Sequence, residues 1–233
     1  EFHGYKVLET DSKIIGVFGQ DGSDFLRQGE FGQIILDKTP FYAESGGQVG
    51  DQGSFESDTG VFEVMDTQFS GNAYSHFGTV SNGQISVGDM IMASVNPVRR
   101  KSITLNHTGT HMLHRALMMV LGEHVQQRGS LVDDEKIRFD FSHHQSLTAS
   151  EIREIETIVN EKIEENIDVQ TSIMKHDEAI DSGAMALFGE KYGEDVRVLD
   201  VGNFSKELCG GTHVKNTNEI GIFKVVSESS ISS

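Results

Sequence analysis

The pattern of the sequence changes at Pro97, and this change limits the folds that are open to the chain. Glycine is frequent before Pro97, and turn signals such as GQDGS and SNGQ separate short strand-like runs. Six such runs are present: YKVLET, SKIIGVFG, FGQIILD, GVFEVMDTQF, AYSHFGTV and DMIMASV. Many short strands with this spacing predict a small antiparallel β-barrel or sandwich.

After Pro97 the pattern is helical. Apolar residues recur at helical intervals from about residue 98 to Gly122, which predicts one long helix. Thr148 to Glu151 (TASE) form a capping box that predicts the start of a second helix. Strand-like KIRFDF, VQTSIM, VRVLDV and IGIFKVV and a short helix through DEAIDSGAMALF are predicted between and after these helices.

These elements predict an α+β fold in two parts. Residues 1–97 form a glycine-rich β-barrel subdomain, and residues 98–233 form an α+β core with a layer of sheet and a layer of helix. The chain begins at Glu1 without a methionine and ends in SESSISS, so we expect a piece of a longer protein.

Composition restricts the possible partners. The formal net charge of −17 argues against bulk attraction to nucleic acid, so an RNA partner needs local basic contacts. The candidates are Arg99, Arg100, Lys101 and Arg128. No apolar run approaches the roughly 20 residues that cross a bilayer, and we expect no membrane partner. A single cysteine excludes an internal disulfide and fits a reducing, cytoplasmic location.

Two histidine-containing motifs share one spacing. His107 and His111 lie four residues apart on the predicted helix and therefore on one face, and Cys209 and His213 repeat this interval in a glycine-containing loop. Three imidazoles and a thiolate are a ligand set that suits zinc. His114 lies on nearly the same face, so spacing alone leaves open whether it replaces His107. The remaining polar-flanked histidines are interpreted as surface groups: His124, His143, His144 and His176.

Five motifs together resemble a known family: TPFYAESGGQVGD, NHTGTHMLH, RFDF, GAMALFGEKYG and LCGGTHV. In this order they resemble the editing domain of alanyl-tRNA synthetase, which is shared in part with AlaX proteins and distantly with threonyl-tRNA synthetase. The resemblance implies that His107, His111, Cys209 and His213 hold zinc, and it excludes His114 as a ligand. Gly109 departs from the family, which more often has alanine there.

The resemblance also implies a substrate and roles for further residues. The implied substrate is tRNA(Ala) that carries serine or glycine by mistake, with hydrolysis of its ester bond. Thr108 and Thr110 flank the metal histidines and are candidates for recognising the serine hydroxyl, and Gln127 matches a position linked to editing. These three are the predicted catalytic residues, and Arg128 is predicted to bind substrate. Gly46 and Gly47 would admit the acceptor end of the tRNA, while Glu44 and Asp51 are expected to make local turn or hydrogen-bonding contacts.

Several alternatives stay open at this point. A zinc ion with an open position would activate water or polarise the carbonyl, whereas a closed four-ligand site would shape the pocket, and the four good ligands favour the closed site. The parent enzyme would ligate alanine to tRNA(Ala) with ATP in its remaining domains. The chain contains no phosphate-binding loop of the P-loop type. The competing function is a non-catalytic structural zinc module that binds RNA or protein.

Overall fold

The computed structural model describes residues 1–20, 22–186 and 193–230. Packing divides the chain into two units, Glu1–Ser45 with Val49–Lys101 and Gly46–Gln48 with Ser102–Ser233. The predicted domain boundary at residue 97 stays a prediction, since these units are defined by packing alone. Among the described residues, no helix combines the length and the apolar character that crossing a bilayer requires.

The described residues of the first unit form seven antiparallel strands. These are β1 (Glu9–Phe18), β2 (Phe25–Arg27), β3 (Phe31–Leu36), β4 (Gly53–Glu56), β5 (Gly60–Ser70), β6 (Ala73–Ser86) and β7 (Met90–Val95). Six of them close a barrel in the order β6-β3-β1-β7-β4-β5, because β6 pairs with both β3 and β5, and β2 pairs with the far end of β6. Alternate side chains point inward and fill the barrel, among them Ile14, Ile34, Phe55, Phe62 and Val80.

Two predictions for this unit are corrected. The run at residues 5–10 forms strand only from Glu9 onward. The turn signal at residues 81–84 does not end a strand, because β6 continues through it to Ser86. Val61 pairs with Asn82 and Phe62 with Val80, so Ser81 is the extra residue of a bulge. Gly83 (φ 69°) follows the bulge, and a Cβ there would lie 2.1 Å from the carbonyl oxygen of Thr59. The glycine therefore bends a long strand.

Arg100 is not available for RNA, contrary to expectation. The side chain is only 5% exposed and forms an ion pair with the buried carboxylate of Asp51. Its other guanidinium N–H groups donate to the carbonyl oxygens of Gly4 (2.7 Å) and Pro40 (2.9 Å). Asp51 also accepts a hydrogen bond from the backbone of Tyr42 at 2.7 Å, which agrees with the local role expected for it. Arg100 therefore stabilises the first unit.

The long predicted helix is α1 (Pro97–Leu121). Proline suits the first helical position because its fixed φ matches the helix and its missing N–H is not needed there. The Asn96 side chain accepts hydrogen bonds from the backbone N–H groups of Val98 and Arg99, both at 3.1 Å, and caps this end. Gly122 (φ 114°) ends the helix.

In its described residues the second unit combines helices with two small sheets. Its elements, besides α1 from Ser102 onward, are β8 (Gln127–Val132), β9 (Ile137–Phe141), α2 (Ala149–Glu164), β10 (Val169–Lys175), α3 (His176–Asp181), β11 (Asp195–Val201), β12 (Ser205–Leu208) and a 3₁₀ turn (Thr217–Ile220). Strands β8 and β9 form a hairpin, and β10, β11 and β12 form an antiparallel sheet in that order. Apolar residues of α1 and α2 share one core, including Met112, Leu117, Ile155, Val159 and Ile163. The predicted α+β class with an N-terminal antiparallel barrel is confirmed.

The start of α2 is as predicted. Thr148 Oγ1 accepts from the backbone N–H of Glu151 at 3.2 Å, and the Glu151 carboxylate accepts from the backbone N–H of Thr148 at 2.7 Å. Both bonds of a capping box are therefore present.

Two predicted elements near the end of the chain differ. The helix expected over residues 177–188 is only α3, and Leu187 and Phe188 lie outside the described residues. The strand expected over residues 220–226 does not form. Instead, Asn160 of α2 donates to the carbonyl oxygen of Phe223 (2.9 Å) and accepts from its N–H (2.8 Å), and Glu156 accepts from the N–H of Val225. These side chains satisfy backbone groups that a sheet would otherwise pair.

Candidate metal centre

Helix α1 presents two imidazoles side by side. His107 and His111 are one turn apart, each is 3% exposed, and their ring centroids are 5.2 Å apart with planes inclined by 15°. The interval of four residues places both on one helical face. Their ring nitrogens can therefore be directed at one point.

The loop after β12 brings a thiol and a third imidazole to the same point. Cys209 directly follows β12, and its Sγ lies 3.5 Å from His107 Nε2 and 3.1 Å from His213 Nε2. One donor atom from each of His107, His111, Cys209 and His213 lies within 4.8 Å of the others. The four side chains that the sequence singles out thus converge.

Gly211 allows this approach. A Cβ at this position would lie 2.0 Å from Cε1 and 2.2 Å from Nδ1 of His107, far inside van der Waals contact. The guanidinium of Arg197 donates to the Gly211 carbonyl oxygen at 2.7 Å and holds the loop from the other side. Glycine is therefore required for the loop to pass the imidazole of His107.

Hydrogen bonds orient all three imidazoles in the same way. Nδ1 of His107 lies 2.7 Å from Gln48 Oε1, and Nδ1 of His111 lies 2.6 Å from a Glu207 carboxylate oxygen. Nδ1 of His213 lies 3.2 Å from Thr108 Oγ1. The amide oxygen and the carboxylate only accept, so these Nδ1 atoms carry the proton.

Thr108 acts as the acceptor for His213. Its hydroxyl proton is directed to the carbonyl oxygen of Thr104 at 3.1 Å, so the oxygen receives the Nδ1–H of His213. The Nε2 atoms of His107 and His213 consequently face Cys209, and a ring nitrogen of His111 lies within 4.8 Å of the same group. This pattern, with one ring nitrogen held by an outer partner, is typical of metal-binding histidines.

The donor set fits zinc. Bond lengths of about 2.3 Å for Zn–S and about 2.05 Å for Zn–N in a tetrahedron place sulfur and nitrogen about 3.6 Å apart, close to the 3.1 and 3.5 Å found here. His111 Nε2 is buried and has no hydrogen-bond partner among the described residues. An ion shared by the four residues would give this atom a partner.

Electrostatics favours negative charge on the site. Burial opposes ionisation of the Cys209 thiol, but His107, His111 and His213 outweigh it and hold the pKa of Cys209 well below its usual value. Burial likewise opposes ionisation of Glu207, yet His111 lowers the pKa of this carboxyl to about 2. Burial lowers the pKa of His213 to about 3, so this ring is neutral. Burial opposes protonation of His111, but Glu207 and Cys209 outweigh it and hold the pKa of His111 well above its usual value. Because a thiolate and neutral imidazoles are the forms that bind metals, an ion would displace the extra proton of His111.

His114 lies behind the cluster. It is buried, its Nδ1 is 3.5 Å from the second oxygen of Glu207, and its ring packs against Phe139 at 5.3 Å between centroids. It does not belong to the group of four converging donors. Its contact with Glu207 makes it a neighbour of that carboxylate.

The three residues predicted to be catalytic lie in different settings. Thr108 contacts the centre through His213. Thr110 is 4% exposed, and its hydroxyl donates to the carbonyl oxygen of Asn106 at 2.9 Å along α1. Gln127 begins β8 and donates to Ser130 Oγ at 3.3 Å. Their catalytic roles stay predictions.

The residues predicted to bind substrate lie on two segments. Gly46 and Gly47 have φ values of 57° and 81°, and a Cβ on Gly47 would lie 2.0 Å from Ser130 Oγ. The Gly47 carbonyl oxygen accepts from the N–H of Val132 at 2.8 Å. The glycines thus let residues 46–48 pack along β8, while Arg128 is exposed on that strand.

Sequence reasoning missed Gln48 and Glu207, which hold two of the imidazoles. Gln48 Oε1 also accepts from the backbone N–H of Thr212 at 2.9 Å, so it joins the histidine helix to the cysteine loop. Gln48 lies in the motif SGGQVGD, where the glycines give a turn signal and the glutamine gives none. Glu207 gives a clearer signal, because it is a carboxylate in a strand, two residues before the only cysteine.

Comparisons with known proteins agree with the architecture. Residues 1–99 match the family of class II (A) tRNA synthetases, and residues 196–233 match the threonyl and alanyl tRNA synthetase second additional domain. Similar proteins are alanine–tRNA ligases of Nitrosomonas eutropha (49% identical over 99% of this chain), Legionella pneumophila (52% over 100%) and Methylobacillus flagellatus (52% over 99%).

The matched region is 27%, 27% and 26% of the length of these relatives, so the chain spans about a quarter of each. Identity of about one half extends over the whole chain, and the two family matches fall at its two ends. Over its whole length the chain is therefore similar to a region of alanine–tRNA ligases, and its residues 196–233 match the second additional domain of threonyl and alanyl tRNA synthetases.

Proposed function

We propose that this chain is an editing region that hydrolyses the ester bond of tRNA(Ala) mischarged with serine or glycine. The observation that carries the proposal is the convergence of His107, His111, Cys209 and His213, which we assign to zinc. The relatives are named alanine–tRNA ligases. We accordingly propose that the full-length protein ligates alanine to tRNA(Ala) in the cytoplasm, with ATP and alanine bound in its remaining domains.

A separate hydrolytic site is useful because a pocket that accepts alanine cannot strongly exclude glycine or serine. A pocket that accepts alanine rejects glycine poorly, because one missing methyl group is worth only about 1–3 kcal/mol. An added hydroxyl is likewise rejected only modestly. A separate hydrolytic site that acts on the wrong products raises the accuracy of the overall reaction.

The reaction is the hydrolysis of an activated ester. Water adds to the ester carbonyl carbon, the bond from that carbon to the terminal ribose oxygen breaks, and the ribose oxygen takes a proton. Free amino acid and intact tRNA are released. When bound, zinc would supply positive charge that shapes the pocket and orients the substrate, in keeping with four protein ligands.

The outer partners keep this pocket in one geometry. Gln48, Glu207 and Thr108 each fix one imidazole through its Nδ1. Because all three partners are themselves buried or held by further hydrogen bonds, the rings cannot turn without leaving a polar group unpaired. The site is therefore preorganised for its substrate.

Selection of serine is assigned to hydroxyl groups beside the metal histidines. Thr110 donates its proton to Asn106, so its oxygen lone pairs can accept the hydroxyl proton of a seryl substrate. An alanyl ester has no such proton and leaves the acceptor unpaired, which disfavours it. Gln127 is a second candidate for polar contact, and Gly46, Gly47 and Arg128 are proposed to contact the acceptor end of tRNA.

Hydrolysis assays test the proposal directly. The zinc-loaded chain should release serine from Ser-tRNA(Ala) and glycine from Gly-tRNA(Ala) but spare Ala-tRNA(Ala). Cys209→Ala should lose zinc and activity together, whereas His176→Gln, which changes an exposed histidine outside the cluster, should keep both. A Cys209→Ala chain that keeps full zinc occupancy and still loses all activity would contradict the ligand role of Cys209.

A structural zinc module is the second candidate. The observation that favours it is that four buried or half-buried protein side chains complete a tetrahedral set, as in structural zinc sites. The same assay separates the two functions. Zinc bound at one equivalent with no release of serine or glycine would support the structural module and refute the editing proposal.

A further inference from the structure

A second group of histidines lies outside the proposed zinc centre. His124 lies between α1 and β8, and His143 and His144 follow β9. One ring nitrogen from each of the three lies within 4.8 Å of the others. The editing proposal does not use these residues.

The backbone fixes these histidines in place. Ser142 donates its backbone N–H to the carbonyl oxygen of Gln126 at 2.9 Å, and its hydroxyl oxygen accepts from the N–H of Gln126 at 3.0 Å. The same hydroxyl lies 3.2 Å from the carbonyl oxygen of His124. Val125, between these contacts, is buried in the core. The two loops are therefore held side by side by the hairpin of β8 and β9.

The rings are packed closely for surface residues. Centroids of His143 and His144 are 4.5 Å apart, and His124 lies 5.2 and 5.5 Å from them. Nε2 of His124 is 2.9 Å from Nδ1 of His143, which satisfies one pair of nitrogens. His143 Nε2 is buried and has no hydrogen-bond partner among the described residues. The hydrogen bond between His124 and His143 therefore leaves a buried polar atom of the group unexplained.

We propose that His124, His143 and His144 bind a divalent transition-metal ion of the zinc class, separately from the proposed editing centre. Imidazole nitrogen is a preferred ligand of zinc, copper and nickel, and calcium and magnesium prefer oxygen. Three nitrogens bind the ion, and water completes the coordination because two of the rings are exposed. The bound ion joins the loop after α1 to the loop after β9.

Zinc titration tests this site. The chain is first loaded with one equivalent of Zn²⁺, and a second equivalent is followed by calorimetry. We expect uptake of the second equivalent by the wild type and by His176→Gln. His143→Gln/His144→Gln should lose at least about 100-fold in affinity for this equivalent, since loss of even an outer partner of a metal ligand costs 10- to 100-fold. The first equivalent should bind unchanged.

Nuclear magnetic resonance of the imidazole nitrogens provides a measurement that needs no variant. The second equivalent should shift the ring nitrogen signals of His124, His143 and His144 and leave those of His176 in place. The proposal is overturned if the wild type takes up no second equivalent, or if the double variant takes it up with unchanged affinity. Failure of the editing assay leaves it untouched, since the two sites share no residue.

Discussion

Replacing Gly211 by alanine tests the geometry of the proposed zinc centre with one added methyl group. The new Cβ would lie 2.0 Å from His107 Cε1 and 3.0 Å from Gln48 Oε1. Carbon atoms in contact are about 3.5–4.0 Å apart, so the loop and the imidazole must separate by about 1.5 Å or more. Metal–ligand distances tolerate only about 0.2 Å, so His107 and the loop ligands cannot all stay bound.

The expected result is a loss of zinc affinity of at least about 100-fold, or about 2.7 kcal/mol. It is measured by competition with a chelator at constant pH, with circular dichroism to check that the fold is retained. Gly193→Ala is the matched control, because among the described residues its Cβ would have one neighbour within 4 Å, the Asp195 carbonyl oxygen at 3.8 Å. If Gly211→Ala binds zinc with the affinity of the wild type, the loop that carries Cys209 and His213 does not need to lie against His107 for zinc binding, and the reasoning is refuted.

Three further predictions concern selectivity, acid stability and helix stability. Thr110→Val should reduce the ratio of Ser-tRNA(Ala) to Ala-tRNA(Ala) hydrolysis rates, and an unchanged ratio would remove Thr110 from the recognition site. Burial lowers the pKa of His76 to about 4 from its usual value of 6.5. Only the unfolded chain then gains this proton as the pH falls from 6.5 towards 4, so folding stability is lost over that range. Wild type should lose about 2 kcal/mol more than His76→Gln between pH 7 and pH 5 in urea unfolding, and equal losses would contradict this. Gly109→Ala should add about 1 kcal/mol and about 2–4 °C to the melting temperature, because its Cβ meets Ile137 at an acceptable 3.4 Å. Gly78→Ala, whose Cβ would lie 1.8 Å from the Glu63 carbonyl oxygen, should instead destabilise the chain.

Local signals made α1 predictable from the sequence to within one residue at each end. Proline is favoured at a helix start, and Gly122 takes a positive φ that other residues avoid, so each end is set by a single residue. The capping box of α2 is equally local. The glycine signal at Gly83 is ambiguous between a hairpin turn and a bulge within a strand, since both use glycine. In the structure Gly83 lies within the continuing strand β6.

Long-range contacts account for what the sequence could not predict. The segment after the 3₁₀ turn looks like a strand, but its backbone groups pair with Asn160, which is 63 residues away from Phe223. His76 of β6 has no motif to mark it, yet it lies fully buried in the barrel between Thr39 and the Ile34 carbonyl oxygen. Neither arrangement leaves a periodic pattern in the chain.

In the candidate site, too, residues close together in the sequence were predictable and partners distant in the sequence were not. The two intervals of four residues reveal the inner donors, because each pair lies within one short segment. Their outer partners do not follow from spacing, since Gln48 is 59 residues from His107 and Glu207 is 96 residues from His111. These partners decide the tautomer of the rings, and hence the chemistry of the cluster.

The tautomers give the physical reason for assigning a cation to this cluster. In a polar core held by hydrogen bonds, donors face acceptors. Here the Nδ1–H donors of His107, His111 and His213 point outward to oxygen atoms, so the atoms that face inward are three nitrogen lone pairs and the sulfur of Cys209. Four acceptors directed at one another are unfavourable unless they share positive charge. A proton on His111, whose pKa Glu207 and Cys209 raise despite its burial, supplies part of that charge, and one divalent ion satisfies all four at once. Because the ligands come from segments about 100 residues apart, such an ion binds only the folded second unit and stabilises it, by about 2.7 kcal/mol at 100 times its dissociation constant.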